Sequence, residues 1–245
     1  MTGIRALLFD VFGTLVDWRT CVAREAERVL APLGVHQDWL ALADAWRGEY
    51  QPAMEEVRSG RIPFGPLDGL HRRNLDVVLG RLLGPAGAEL VPEAARRELN
   101  LAWHRLDAWP DVPAGLARLR ERFLVAPCSN GNVALLVALA RRNDLRWDAI
   151  LGAELARDYK PKPGVYLASA AALGCAPEET LMVAAHSGDL AAAAAAGLRT
   201  AFVRRPLEFG PGSSHAETAP AVPVDVVTGD LQELASVLQW ASADR

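Results

Sequence analysis

The apolar run Ala6–Phe9 ends directly on an aspartate, Asp10, and similar short runs return along the chain. Residues 123–126, 149–152, 181–185 and 200–203 repeat it, and residues 224–227 are a less regular last instance. None alternates apolar with polar positions, so each predicts a strand buried on both faces. Helical patterns lie between them, over residues 112–122, 133–142, 163–173 and 190–196. The last of these is rich in alanine and meets Gly197 where a helix-terminating glycine belongs. Strand–helix alternation of this kind predicts a parallel sheet covered by helices, the α/β class.

One segment departs from the alternation. Residues 18–106 carry no convincing strand run and read as helices over 21–30, 39–54, 67–83 and 92–106. Breaks at Gly34, Pro63, Gly65, Pro66, Pro85 and Gly87 separate them. The expected organisation is an α/β core of residues 1–17 and 107–245 with an α-helical insertion of residues 18–106 between its first two strands. Residues 206–222, rich in Gly, Pro and Ser, read as a surface loop.

Composition narrows the function classes. Of 245 residues, 51% are hydrophobic and 23% charged, enough apolar surface for a packed core. A formal charge of −4 gives no global pull toward nucleic acid or an anionic membrane, so an anionic ligand must be drawn in by a few local cations. Cys21, Cys128 and Cys175 are too few and too scattered for a disulfide framework or a zinc site, and a reducing, cytoplasmic setting is expected. The N-terminal residues show no signal-peptide pattern, and no apolar stretch reaches the ~20 residues of a membrane span.

In parallel α/β sheets, ligands sit outside the carboxyl ends of the strands. Four polar groups fall there. Asp10 follows the first strand, within Asp10-Val11-Phe12-Gly13-Thr14, and Ser129-Asn130-Gly131-Asn132 follows the second core strand. Lys160 lies beyond the third and His186-Ser187-Gly188-Asp189 beyond the fourth. Each has a structural reading as well. Asp10 could close a turn, Ser129 or Asn132 could cap a helix, Lys160 could be a solvated loop cation, and Asp189 could cap the alanine-rich helix. Tyr166 fits core packing, Arg47 an exposed helix face, and His186 a satisfied loop histidine. Trp39, Trp46, Trp103 and Trp109 read as packing residues, Lys162 as surface, and His36, His71, His104 and His215 show no metal spacing.

The order of these motifs resembles the haloacid dehalogenase superfamily, which implies a Rossmann-like parallel-sheet core with an inserted α-helical cap domain. On that resemblance Asp10 is the nucleophile, and Ser129, Lys160 and Asp189 carry the second, third and fourth motifs. Phosphatase members have a second acid where this chain has Phe12, and an acidic pair whose first member is here Ala185. Magnesium needs hard oxygen ligands, so these departures disfavour it. They match the type II 2-haloacid dehalogenases more closely, which have an aromatic residue and then Gly-Thr (Phe12, Gly13, Thr14), Ser-Asn-Gly (Ser129 to Gly131), Lys-Pro-x-Pro with a tyrosine (Lys160 to Pro163, Tyr166) and Trp-Arg (Trp46, Arg47).

That resemblance implies hydrolysis of short 2-haloacids through an ester on Asp10, with inversion at the reacting carbon and without metal or cofactor. Asp10, Thr14, Ser129, Lys160 and Asp189 would be catalytic. Arg47 and Asn130 would take the halide, with Val11, Phe12, Tyr166 and His186 beside the substrate. A homodimer formed through the cap is also implied. Dehalogenases of this type carry asparagine, tryptophan and serines where this chain has His186, Gly188, Ala184 and Ala185. His186 is therefore expected to act as a hydrogen-bond donor or water base, favouring a small halide such as fluoride. Two other readings compete: a magnesium-dependent phosphatase, and a non-catalytic protein that binds small carboxylates. No dinucleotide G-x-G-x-x-G follows a strand and no Walker sequence is present.

Overall fold

The computed structural model describes residues 3–240, so the expected core limits at residues 1 and 245 lie outside the described residues. The strands are β1 (Ala6–Phe9), β2 (Val16–Asp17), β3 (Asp107–Ala108), β4 (Leu124–Ser129), β5 (Leu151–Gly152), β6 (Thr180–Ala184), β7 (Arg199–Val203) and β8 (Val226–Thr228). Six of them form one sheet in the order β5-β4-β1-β6-β7-β8, with every neighbouring pair parallel. β1 sits inside it, paired with β4 on one side and β6 on the other.

The unbroken apolar runs follow from burial on both faces. Leu7 and Phe9 of β1 join one core cluster, with Val125, Leu181, Val183, Ala201 and Val203 of its neighbours. Leu8 points the other way, into a second cluster with Ala126, Cys128, Met182, Ala184 and Phe202. A period of two thus separates two apolar faces rather than an apolar face from a polar one.

The helices are α1 (Trp18–Leu30), α2 (Trp39–Gly48), α3 (Tyr50–Arg58), α4 (Leu67–Glu89), α5 (Glu93–Asn100), α6 (Val112–Arg120), α7 (Val133–Asn143), α8 (Ala153–Ala156), α9 (Pro163–Ala172), α10 (Ser187–Ala195) and α11 (Leu231–Trp240). Tyr166 of α9 and Leu190 of α10 pack in the second cluster, while Leu116 of α6 and Leu135 of α7 pack in the first. α1 to α5 form the inserted cap. It leaves the core at β2 and returns at β3, which pair antiparallel with Val16 opposite Ala108 and Asp17 opposite Asp107. Asp17 then caps α1 by accepting the Thr20 N–H at 3.0 Å.

Two expectations change, and one helix is added. The helix over 39–54 is two helices, α2 and α3, which meet at Gly48 and Glu49. Glycine is a poor helix former, and the Glu49 carbonyl is held by the Asn74 side chain at 3.2 Å. The helix over 92–106 stops at Asn100 and continues as a 3-10 turn, Leu101–His104. α11 went unrecognised. It docks so closely on α6 that a Cβ at Gly115 would collide with Leu231. The tryptophans of the cap pack as expected: Trp46 and Trp103 meet edge to face at 5.5 Å, and Trp46 donates to the His71 carbonyl at 2.9 Å. Among the described residues, no helix is long and apolar enough to cross a membrane.

Candidate active site

The carboxyl end of β1 turns sharply over Asp10 to Thr14. Leu15 N–H closes on the Val11 carbonyl at 2.9 Å, and Gly13 lies at φ +84°. Glycine adopts that angle freely. Any side chain at Gly13 would also strike the Glu208 carboxylate, which packs beneath it. The turn aims the buried Asp10 carboxylate away from the sheet, 8% exposed.

Each oxygen of Asp10 is engaged. Oδ1 accepts from Lys160 Nζ at 2.8 Å. Oδ2 accepts from Thr14 Oγ1 at 2.7 Å and lies 3.2 Å from His186 Nδ1. The Thr14 hydroxyl in turn accepts the Ala185 N–H at 3.0 Å, so β1 and β6 share it. Burial works against charge on Asp10, yet Lys160 and then His186 outweigh it and hold the carboxyl far below the ordinary carboxylate range. Lys160 also bonds Asp189 Oδ2 at 2.5 Å. Burial opposes its charge, but the two carboxylates keep the ammonium well above its usual value. Asp189 itself is pushed up by burial.

The other expected residues fall in varied places. Asn130 lines the cleft; its Oδ1 accepts the Lys160 N–H at 2.8 Å, which leaves the NH2 group as its donor end. Tyr166 does not reach the cleft wall. It is fully buried, and its hydroxyl donates to Asp189 Oδ1 at 2.5 Å, so it orients that acid rather than a substrate. The Val11 side chain also lies in the core, 2% exposed, not beside a ligand. Ser129 is wholly buried at the end of β4, where its hydroxyl accepts the Gly131 N–H at 3.0 Å and shapes the turn. Asn132 reaches the cap instead, donating to Asp68 Oδ2 at 2.9 Å. Lys162 is exposed, as read from the sequence.

His186 is not placed as a water base. Nδ1 faces Asp10, and Nε2 faces Glu208 Oε2 at 2.9 Å and Oε1 at 3.1 Å. Burial opposes its charge, but bonds to Asp10 and Glu208 raise the imidazole to about 10. It is a donor in both directions. Glu208 was missed in the sequence, because residues 206–222 read as a surface loop. That loop folds back over the strand ends, and Trp18 Nε1 and His186 hold its glutamate.

The cap supplies the opposite wall. Arg47, Tyr50, Gln51 and Arg58 face Asp10, Phe12, Asn130, Lys160, His186 and Asp189 across a cleft of about 460 Å³. The Arg47 guanidinium lies 4.1 Å from the Tyr50 ring centroid, 5.5 Å from Trp18 and 5.9 Å from Phe12. Its buried NH1 has no hydrogen-bond partner among the described residues. Arg58 donates to the Lys160 carbonyl at 2.7 Å and ties α3 to the loop that carries Lys160. Neither Tyr50 nor Arg58 stood out in the sequence, since both sit within ordinary helical patterning.

An acid and an amine at strand ends, beneath an inserted helical cap, define a class. The family model for haloacid dehalogenase-like hydrolases matches residues 4–197, and the chain belongs to that family. Among curated relatives, (S)-2-haloacid dehalogenase 4A of Burkholderia cepacia is 30% identical over 206 residues, 83% of this chain and 84% of that one. A plasmid-borne phosphoglycolate phosphatase of Cupriavidus necator is 28% identical over 229 residues, 89% of this chain and 87% of that one. Among solved structures, the defluorinating L-2-haloacid dehalogenase Rha0230 is 42% identical with a TM-score of 0.92, covering 96% of this chain and 95% of that one. The L-2-haloacid dehalogenase of Xanthobacter autotrophicus with chloropropionic acid covalently bound is 26% identical with a TM-score of 0.78, covering 96% and 98%.

Proposed function

We propose that this hydrolase converts short 2-haloalkanoic acids to 2-hydroxy acids through an ester on Asp10, without a metal ion. The observation that carries this reading is the Asp10 carboxylate, buried between Lys160 and His186 across the cleft from Arg47, whose buried NH1 has no hydrogen-bond partner among the described residues.

Two anions must meet for the reaction to begin. Lys160 and His186 offset the charge of Asp10, and cations on the opposite wall accept the negative charge of the substrate. An oxygen of Asp10 attacks the halogen-bearing carbon from behind, which inverts it. The carbon–halogen bond breaks and its electron pair leaves with the halide. Arg47 and the Asn130 NH2 group, both lining the cleft, donate to the departing halide in this reading. Donors near Ser129 and Asn130 at the end of β4 hold the substrate carboxylate. Water then adds to the ester carbonyl, with Asp189 positioning it, while Tyr166 and Lys160 fix Asp189. The second bond broken joins the Asp10 carbonyl carbon to the oxygen now bonded to the product, so solvent oxygen enters the side chain. One proton of the water finishes on the product hydroxyl and the other is released.

The donor set does not fit magnesium. Phe12 stands where the second acid of the first motif would be and Ala185 where the first acid of the fourth would be, and the two carboxylates that remain, Asp10 and Asp189, share the Lys160 ammonium between them. This disfavours phosphoryl transfer, despite the phosphatase among the relatives. Fluoride is included among the leaving groups, since a strong hydrogen-bond acceptor gains most from concentrated donors and Rha0230 is a defluorinating enzyme. The reading carries with it a core of residues 1–17 and 107–245, a cap of residues 18–106, a homodimer through the cap and a cytoplasmic setting. The three buried free cysteines suit a reducing compartment.

Halide release from fluoro-, chloro- and bromo-substituted acetate and propionate in EDTA tests the reading, with Asp10→Asn as the blank. Release by the parent and none by the variant is expected. Release that stops in EDTA, or hydrolysis of phosphate esters instead, would end it.

A further inference from the structure

Glu208 is 3% exposed. The partners of its carboxylate are His186 Nε2 at 2.9 Å and Trp18 Nε1 at 3.1 Å, with Gly13 packed against it. A carboxylate this buried is strongly disfavoured unless a cation pairs with it, so the proton on Nε2 belongs to the histidine. The other ring nitrogen, Nδ1, faces Asp10 Oδ2, an oxygen with no proton to give while Asp10 is the ionised nucleophile. Both ring nitrogens therefore carry hydrogen. The charged groups around the ring are Asp10 from the β1 turn and Glu208 from the loop of residues 206–222. Asp189 lies on its own helix, with Lys160 beyond Asp10 and Arg47 across the cleft.

The two oxygens of Asp10 are not equivalent. Oδ1 has one donor, Lys160, while Oδ2 has Thr14 and His186. The less encumbered oxygen is the better nucleophile, and the doubly bonded one is the better place for an oxyanion. We infer that Glu208 is a positioning residue for the hydrolytic half-reaction: it holds His186 so that Nδ1–H and the Thr14 hydroxyl together donate to Asp10 Oδ2, which becomes the carbonyl oxygen of the ester. This rests on the dehalogenase reading. Water adds to the Asp10 carbonyl carbon, and the π electron pair moves onto Oδ2, where the two donors receive it. On collapse the bond from that carbon to Oδ1 breaks, and Oδ1 leaves on the 2-hydroxy acid with one proton of the water. The other proton passes to solvent and the carboxylate is restored.

The test is Glu208→Gln, which keeps the shape and the Trp18 contact but removes the charge, followed by rapid mixing with 2-chloropropionate. Halide release in the first turnover should fall less than the steady state, since Lys160 still offsets the charge of Asp10. The steady state should then fall by roughly 10- to 100-fold, a partial loss of one oxyanion donor. Intact mass should show the substrate's 1-carboxyethyl group accumulating as the ester of Asp10. The alkaline limb of kcat should move to lower pH, because His186 has lost an anionic partner, and Glu208→Asp should restore part of both. Should Glu208→Gln fail to fold, His186→Gln must show the same ester accumulation. Parent-like turnover with an unmoved alkaline limb would overturn the inference, as would equal loss in the first turnover and the steady state. A parent that releases no halide would instead remove the dehalogenase reading, and this inference with it.

Discussion

Gly13 shows how much a single residue carries at this site. Its positive φ closes the turn that presents Asp10, and its missing side chain makes room for Glu208. Gly34 has a similar angle, φ +77°, but open space around it. Alanine at either position costs on the order of 1 kcal/mol in backbone strain. Only at Gly13 does the new methyl group push Glu208 and, through it, His186. Gly34→Ala is therefore expected to lower the thermal midpoint alone, and Gly13→Ala to lower both the midpoint and the rate of halide release. Equal activity in the two variants would show that the Glu208 contact has no catalytic consequence. At this scale, sequence and structure agree where chemistry directly follows a strand. Asp10, Thr14, Lys160 and Asp189 were legible because a parallel sheet sends its strand ends to one crevice. Tyr166 was legible as a residue but not in its role, since sequence order cannot tell a ligand contact from a contact to Asp189. Glu208 was hidden because its partner His186 comes from a distant strand end and nothing local marks the loop for burial.

At the scale of elements, burial on two faces is what fixes the sheet. The expected strands match the observed ones within about two residues at each end, except that β4 runs three residues past its expected end, because a doubly buried strand leaves an unbroken apolar run. The flanking pair β2 and β3 was not visible, since two-residue strands carry no periodicity. The break at Glu49 was not visible either, because the apolar pattern runs on across it while the Asn74 side chain and Gly48 decide the geometry. Leu8 measures the element's contribution. It is fully buried in the centre of the second cluster, between β4 and β6. Leu8→Ala is expected to cost about 2–5 kcal/mol in urea unfolding, with the slope of the transition unchanged. A cost below about 1 kcal/mol would mean the sheet tolerates a cavity there, contrary to close packing on both faces.

The whole molecule binds its cap and core through the same charges that serve the site. Arg58 of the cap bonds the Lys160 carbonyl, Asn132 of the core bonds Asp68, and Trp18 at the start of the cap bonds Glu208. These bonds couple the cap to the loops that carry Asp10, Lys160 and His186. The coupling has a pH signature. His186 sits at about 10 in the folded protein, above the ordinary 6.5. A group raised on folding stabilises fully below its unfolded value and loses that contribution as pH climbs through the folded value. The thermal midpoint should accordingly decline between about pH 6.5 and about pH 10, and His186→Asn should flatten that decline. A parent whose midpoint does not change over this window would contradict the doubly bonded imidazolium.

The proposed covalent bond between Asp10 and the substrate carbon decides where solvent oxygen ends up. With enzyme in excess over 2-chloropropionate in water enriched in oxygen-18, the peptide containing Asp10 should gain the heavy oxygen, while the lactate formed keeps a light hydroxyl oxygen drawn from the side chain. Heavy oxygen found in the lactate, with Asp10 unlabelled, would mean that water attacks the substrate carbon itself and would contradict the account.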